Sequence, residues 1–248
     1  MIPCISVANM RESDRKTIET LVPGLTLMYR AAMGVYLATG WPGETVIAAG
    51  GGNNGGDGFA LACILQARGH ACRVVTLSAH RSPDSAHFAE KAASLGVPIA
   101  PYEPGAFSGC ETVVDCLLGT GFTGEVRPPY GTAIREMNGC GARIVSVDIP
   151  SGMNGDTGAA ATDAVRSDLT VTIGFVKTGL IAENAGDYIA RLVCADIGIV
   201  LDREEDRICA RGEASDGAAP GKVFPAPAWL ETAPIDVRDV AYAPEEGL

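Results

Sequence analysis

Apolar residues along the chain gather into short, nearly unbroken runs, and the segments between them carry apolar positions at helical spacing. The runs at 45–49, 73–77, 98–100, 112–118 and 143–149, followed by 169–175 and 192–197, predict strands. The intervening segments 57–68, 83–95 and 130–138 predict helices. Ahead of the first strand, residues 7–21 alternate acidic and basic side chains and predict a helix. Pro23-Gly24 breaks it, and a second helix is expected over 25–38. Strands that alternate with helices and show no polar face belong in a mostly parallel sheet covered on both sides. Ligands of such sheets bind beyond the carboxyl ends of the strands, where the strand order reverses. The strand ends are therefore where chemistry is sought.

Length and charge narrow the classes. A chain of 248 residues can bury a substantial core as one domain. A formal net charge of −11 opposes broad binding to nucleic acid or to anionic membranes, both of which need a Lys/Arg excess on some face. No run approaches the roughly 18 apolar residues of a spanning helix, and no basic segment followed by an apolar one opens the chain. A cytoplasmic protein is expected. Eight cysteines are scattered without a C-x-x-C pair or nearby His ligands, so reduced, mostly buried thiols are expected rather than a zinc site. Beyond residue 200 the composition turns acidic and rich in Pro, Ala and Gly. Residues 1–200 thus read as one domain and 201–248 as a poorly packed extension, with a docked segment at Trp229-Leu230.

Three strand ends are polar. The first is Gly50-Gly51-Gly52-Asn53-Asn54-Gly55-Gly56-Asp57-Gly58, a turn with six glycines in nine positions, which suggests positive φ angles or a close backbone approach to a ligand. It contains the spacing G-x-G-x-x-G, yet the ribose-binding acid of a dinucleotide site is missing, since the chain after the next strand reads Ser78-Ala79-His80-Arg81. A Walker loop fails as well, because Gly55 is followed by Gly56-Asp57. Asp57 is placed to cap the following helix, and a carboxylate there competes with an incoming phosphate. The second strand end carries Asp115 inside an apolar run and then Gly119-Thr120-Gly121-Phe122-Thr123-Gly124-Glu125, whose N–H groups could form an anion nest. The third delivers Asp148 and, after Ile149-Pro150, Ser151. A buried carboxylate is costly unless it is paired, hydrogen-bonded or bound to a cation. Asn54, Asp115 and Ser151 offer only oxygen, which suits a hard cation, although Asp115 and Ser151 could equally serve backbone donors. His70, His80 and His87 have no metal spacing, and Lys177, at another strand exit, reads as a solvated lysine that could reach an anionic ligand. No Gly-x-Ser-x-Gly elbow is present, which disfavours an α/β-hydrolase.

Taken together, Asn53-Asn54-Gly55-Gly56-Asp57-Gly58, Asp115 with Gly119-Thr120-Gly121, and Asp148-Ile149-Pro150-Ser151-Gly152-Met153 resemble the NAD(P)H-hydrate epimerase family, the YjeF N-terminal domain. The likeness extends over about residues 5–200. It implies a Rossmann-like three-layer α/β/α sandwich, a homodimer, and interconversion of the R and S forms of hydrated NADH or NADPH (NADHX, NADPHX). A dehydratase on a separate protein would then restore the S form. The resemblance places substrate contacts on Asn53, Asn54, Gly55, Gly56 and Asp57, on Gly119, Thr120, Gly121, Phe122, Thr123, Gly124 and Glu125, and on Asp148. Its potassium ligands fall on Asn54, Asp115 and Ser151. The family's usual Leu-Met-Glu-Arg-Ala-Gly stands here as Leu27-Met28-Tyr29-Arg30-Ala31-Ala32, so no role is carried over for that Glu.

For that reaction, water leaves the carbon beside a ring nitrogen, a cationic iminium forms, and water returns on either face. Asp148 is the expected acid–base group, with its charge also stabilising the cation. Two other readings remain. A non-catalytic nucleotide- or protein-binding scaffold of the same fold would show an eroded polar site, and an NAD-dependent oxidoreductase would need the missing ribose acid.

Overall fold

The computed structural model describes residues 3–204, 208–209, 230 and 235–239. Its spine is an eight-stranded sheet in which each neighbouring pair is parallel. In chain order its strands are β2 (Thr45–Ala49), β3 (Cys72–Thr76), β4 (Ile99–Pro101), β5 (Thr112–Cys116), β6 (Arg143–Val147), β7 (Leu169–Ile173), β9 (Leu192–Asp196) and β11 (Asp236–Asp239). The spatial order is β11-β9-β7-β6-β5-β2-β3-β4. A second sheet of three short strands joins β1 (Pro3–Ile5) to β8 (Val176–Lys177) in parallel and to β10 (Ile208–Cys209) antiparallel.

Side chains alternate across the central strands, and the two faces build separate cores. Ile47, Ala49, Val114, Val145 and Val171 point to one face, which is covered by α2 (Gly24–Ala38), α3 (Asn53–Ala67) and α4 (Pro83–Ser94). Val46, Ala48, Val113 and Ile144 point to the other, against Ala133, Ile134 and Met137 of α5 (Tyr130–Gly139). Further along that layer, Ile149, Met153 and Leu180 pack with Leu192 and Cys194. The fold is the expected α/β sandwich. From β2 the chain first runs outward to β3 and β4, then returns to β5 on the opposite side of β2 and continues to β6 and β7. The strand order therefore reverses between β2 and β5, and the first two polar turns leave the sheet at that switch point.

Several boundaries differ from the pattern-based reading. The helix expected over 57–68 begins at Asn53, with Gly52 in extended backbone before it and the Gly56 N–H bonded to the Gly52 carbonyl at 3.2 Å. Asp57 is thus the fifth helical residue and not the cap. Nor does any of the six glycines adopt positive φ. Their role is close approach: a Cβ on Gly50 would lie 2.0 Å from the Leu117 carbonyl oxygen, and one on Gly55 would lie 2.1 Å from that of Gly50. Tertiary contact overrides the roughly 1 kcal/mol that each helical glycine costs. Strand 112–118 stops at Cys116 and strand 143–149 at Val147, leaving Leu117 and Asp148 in the turns. Within the C-terminal segment, β11 extends the central sheet, β10 pairs with β1, and Leu230 is buried. Trp229 lies outside the described residues.

Seven described cysteines carry free thiols, five of them buried. Among the described residues no helix is long and apolar enough to cross a membrane.

Candidate active site at the strand switch point

The three polar turns line one cavity of about 950 Å³, together with α1 (Val7–Thr20) and the start of α2. Its wall includes Asn53, Asn54, Asp57, Asp148 and the whole of 119–125. Gly55 and Gly56 stand behind this wall, buried in the first turns of α3. Asp115 and Ser151 are buried in a layer beneath it.

That layer is joined by hydrogen bonds. Asp115 Oδ2 accepts from Ser146 Oγ at 2.9 Å and from the Ser151 N–H at 2.8 Å. Its Oδ1 accepts from Ser151 Oγ at 2.5 Å and from the Leu117 N–H at 3.2 Å. Burial pushes the Asp115 carboxyl up, and these four donors pull it back. Ser151 Oγ also accepts from the Leu118 N–H at 2.8 Å, and Asn54 Nδ2 donates to the Leu118 carbonyl at 2.9 Å. The Asn54 carboxamide oxygen, by contrast, is buried without a partner. An orphaned buried acceptor beside a carboxylate, a hydroxyl and a carbonyl fits a cation held by oxygen. Among the described residues no group of three or more His, Cys, Asp or Glu is placed to hold a metal ion. With one carboxylate in the set, a monovalent ion suits it better than a divalent one. Asp115 and Ser151 do serve backbone donors, those of Leu117, Leu118 and Ser151 itself.

Asp148 lines the same cavity from the turn after β6. Directly after β6 the backbone takes φ +68°, the only positive φ of a non-glycine residue among those described, and the Asp148 N–H bonds to the Val171 carbonyl at 2.8 Å. Asp tolerates this left-handed conformation better than most side chains, at a cost of about 1 kcal/mol. Such outliers persist where surroundings over-determine them, and they cluster at functional sites. The surroundings here are Lys177, which is 1% exposed and forms an ion pair with Asp148 Oδ1 at 2.5 Å. Its Nζ also donates to the Ile173 carbonyl at 2.6 Å and to Thr172 Oγ1 at 3.1 Å. The reading of Lys177 as a solvated lysine is thus overturned, because β7 and β8 fold it under Asp148.

Asp57 and Asp14 extend this charged cluster. Burial raises the Asp57 carboxyl well above its ordinary 3.8, the Asp148 and Asp14 carboxylates push it further, and Lys177 opposes them. Asp14, on α1, is raised as well, first by burial. The sequence reading gave Asp14 no chemical role, because nothing local marks it among the alternating charges of α1. Loop 119–125 lines the same cavity, with Gly119 beside Asn54. Arg11 Nη2 holds it by donating to the Thr120 carbonyl at 2.7 Å, and Glu125 Oε2 accepts from the Thr162 N–H at 3.1 Å. Phe122 N–H bonds back to the Gly119 carbonyl at 3.1 Å. Of the three histidines, none lines the cavity.

One stability prediction follows from Asp57. A carboxyl raised by folding favours the folded state while protonated and opposes it once ionised, so this contribution is lost as pH rises from 3.8 through the elevated folded value. Asp57→Asn removes the loss. Its Tm is expected to exceed that of wild type at pH 8, by about 2–4 °C for each kcal/mol recovered, and the gap narrows toward pH 5. A Tm difference independent of pH would contradict the assignment.

Comparison with known proteins adds the following. A family described as YjeF-related protein N-terminus matches residues 25–179. The chain is 37% identical over 199 residues to an NAD(P)H-hydrate epimerase of Limosilactobacillus fermentum, covering 77% of this chain and 95% of the relative. It is 36% identical over 197 residues to a bifunctional NAD(P)H-hydrate repair enzyme Nnr of Coxiella burnetii, of whose length it spans 40%. The crystal structure of yeast ynu0 superposes with a TM-score of 0.65 at 22% identity, covering 71% of this chain and 82% of that one, which supports the fold.

Proposed function

The chain belongs to the YjeF-related N-terminal family, and from that premise we propose that it is an NAD(P)H-hydrate epimerase, an isomerase that interconverts the R and S epimers of hydrated NADH or NADPH. The observation that carries the proposal is the buried Asp148–Lys177 ion pair, on strained backbone, facing a cavity that also holds the Asn54 turn. Strained backbone of this kind clusters at functional sites, which favours a catalytic carboxylate over a non-catalytic scaffold.

A cavity of about 950 Å³ lies at the large end of small-molecule sites and suits a dinucleotide. Its charge is divided. Asp14, Asp57 and Asp148 gather near Lys177, whereas Arg11 and Arg127 stand by loop 119–125. The carboxylates suit a ring that becomes cationic, and the arginines suit phosphates. Asp148 then protonates the departing hydroxyl or takes a proton from the returning water. Asn53, Asn54 and Asp57, with Gly119 to Glu125, contact the nucleotide, while Gly55 and Gly56 behind them let the turn pack close.

Asn54 Oδ1, Asp115 and Ser151 would hold a potassium ion, which would fix the two glycine turns against one another. The measurement that checks this is thermal. Wild type is expected to melt higher in KCl than in choline chloride at matched ionic strength, by the equivalent of about 2.7 kcal/mol at a hundredfold excess over Kd. Asn54→Ala should abolish the difference. Equal melting in both salts would remove potassium from the proposal.

A homodimer in the cytoplasm, working in sequence with a separate dehydratase, completes the reading. The activity is tested with a mixture of the two epimers and a dehydratase specific for S. Without the chain only the S fraction is expected to be consumed, and with it the whole mixture. Persistence of the R fraction would contradict the epimerase assignment.

A further inference from the structure

Interconversion of two epimers requires a hydroxyl to leave from one face of a ring and to return on the other. A carboxylate fixed by a buried lysine serves one face. Asp148 is fixed in that sense, by Lys177 Nζ at 2.5 Å and the Ile173 N–H at 3.3 Å. We propose that Asp57 is a second catalytic residue, exchanging protons at the hydroxyl-bearing carbon on the ring face opposite Asp148.

This rests on the epimerase reading and deepens it. Asp57 projects from the second turn of α3, which follows β2, and Asp148 follows β6. Strand β5 lies between those two strands, and the two carboxyl groups are close enough for the Asp148 charge to push the Asp57 carboxyl up. Both side chains line the same cavity. Two carboxyl groups that act on opposite faces of a ring, one at the leaving oxygen and one at an attacking water, need a gap of roughly 6.5–9.5 Å in glycoside hydrolases that invert configuration. Here the two carboxyl groups come from segments that follow β2 and β6, on either side of β5, and both face the cavity.

Their surroundings divide the roles. Asp148 receives hydrogen bonds from Lys177 and the Ile173 backbone and enters as the carboxylate of an ion pair. None of the described residues donates a hydrogen bond to the Asp57 carboxyl, which is half-buried in the cavity wall within reach of the Asp148, Asp14 and Lys177 charges. An acid and a base result from two identical side chains, which is how such pairs are assigned elsewhere.

In one direction the Asp57 proton passes to the hydroxyl. The C–O bond breaks, water leaves, and the ring-nitrogen lone pair forms C=N. Water then adds on the opposite face, its oxygen forming the new C–O bond while the C=N π pair returns to nitrogen and Asp148 takes the released proton. The product is the other epimer, and solvent exchange returns the proton from Asp148 to Asp57. The reverse direction starts with Asp148 protonated, and no redox change occurs.

The test incubates each purified epimer with the full chain in 18O-water and follows label and configuration together, by mass spectrometry after chiral chromatography. Wild type should place label in both epimers. Asp57→Asn should lower interconversion by at least about 100-fold, yet still exchange label, without inversion, into the epimer whose hydroxyl faces Asp148. Asp148→Asn should do the converse in the other epimer. Asp57→Ser is measured alongside, and the comparison uses whichever variant keeps the wild-type near-ultraviolet circular dichroism. Interconversion within about threefold of wild type, loss of inversion and exchange together in both epimers, or the exchange-only behaviour arising in Asp14→Asn instead would each overturn the role of Asp57. Wild type that leaves both epimers uninverted would overturn the epimerase reading beneath it.

Discussion

Asp148→Asn is expected to lower the rate of epimer interconversion by about 10³-fold, within the 10²–10⁴ range of a lost acid–base group, while the protein stays folded. The choice of Asn is physical. Position 148 has φ +68°, which Asn accepts nearly as well as Asp, whereas a bulkier or β-branched residue would add strain. The carboxamide oxygen can still accept from Lys177 Nζ, which keeps its bonds to the Ile173 carbonyl and Thr172 Oγ1. What disappears is the capacity to carry a proton and the negative charge that faces the cationic ring. The loss should therefore fall on kcat far more than on KM. A folded Asp148→Asn protein with near-normal kcat would rule out Asp148 as the essential group.

The second large effect is on stability. Lys177→Met should cost about 3 kcal/mol in urea unfolding, the low end for breaking a buried pair, because Asp148 retains some access to the cavity at 14% exposure. Lys177 itself is 1% exposed, so its methylene stem is already packed and Met fills much of that volume. The cost arises from the carboxylate left behind and from the Ile173 carbonyl deprived of its donor. Removing both charges, in Asp148→Asn with Lys177→Met, should recover a large part of the loss. The double variant is then more stable than Lys177→Met alone, and the two effects are non-additive by more than 1 kcal/mol. Additive losses would mean that the ion pair contributes no coupling.

How much of this was legible in the sequence depends on the distance over which each feature is decided. The continuous apolar runs reveal a parallel sheet because burial on both faces leaves no polar alternation to confuse it. Asp115 and Asp148 stand out for the same reason, as carboxylates at the ends of apolar strands. Lys177 does not, because its partner lies 29 residues earlier and reaches it only once β6 and β7 pair and β8 turns beneath them. The early start of α3 was hidden by poor helix formers, Asn53, Asn54, Gly55 and Gly56, whose presence is explained only by the backbone they approach. Strands β1, β8 and β10, of two or three residues, are too short to show a period. Strand β11 stands in a segment whose composition reads as unstructured, and its pairing with β9 is a tertiary fact. At the candidate site, the orphaned Asn54 oxygen could be found only by following every hydrogen bond around it.

The most direct test of the central claim is to give the purified chain one pure epimer of hydrated NADH at a time and separate the products on a chiral column. Catalysis of the proposed kind predicts that R and S converge on the same mixture from either side, at a rate proportional to protein concentration and lowered about 10³-fold in Asp148→Asn. Each epimer remaining as supplied, at the rate seen without protein, would contradict it.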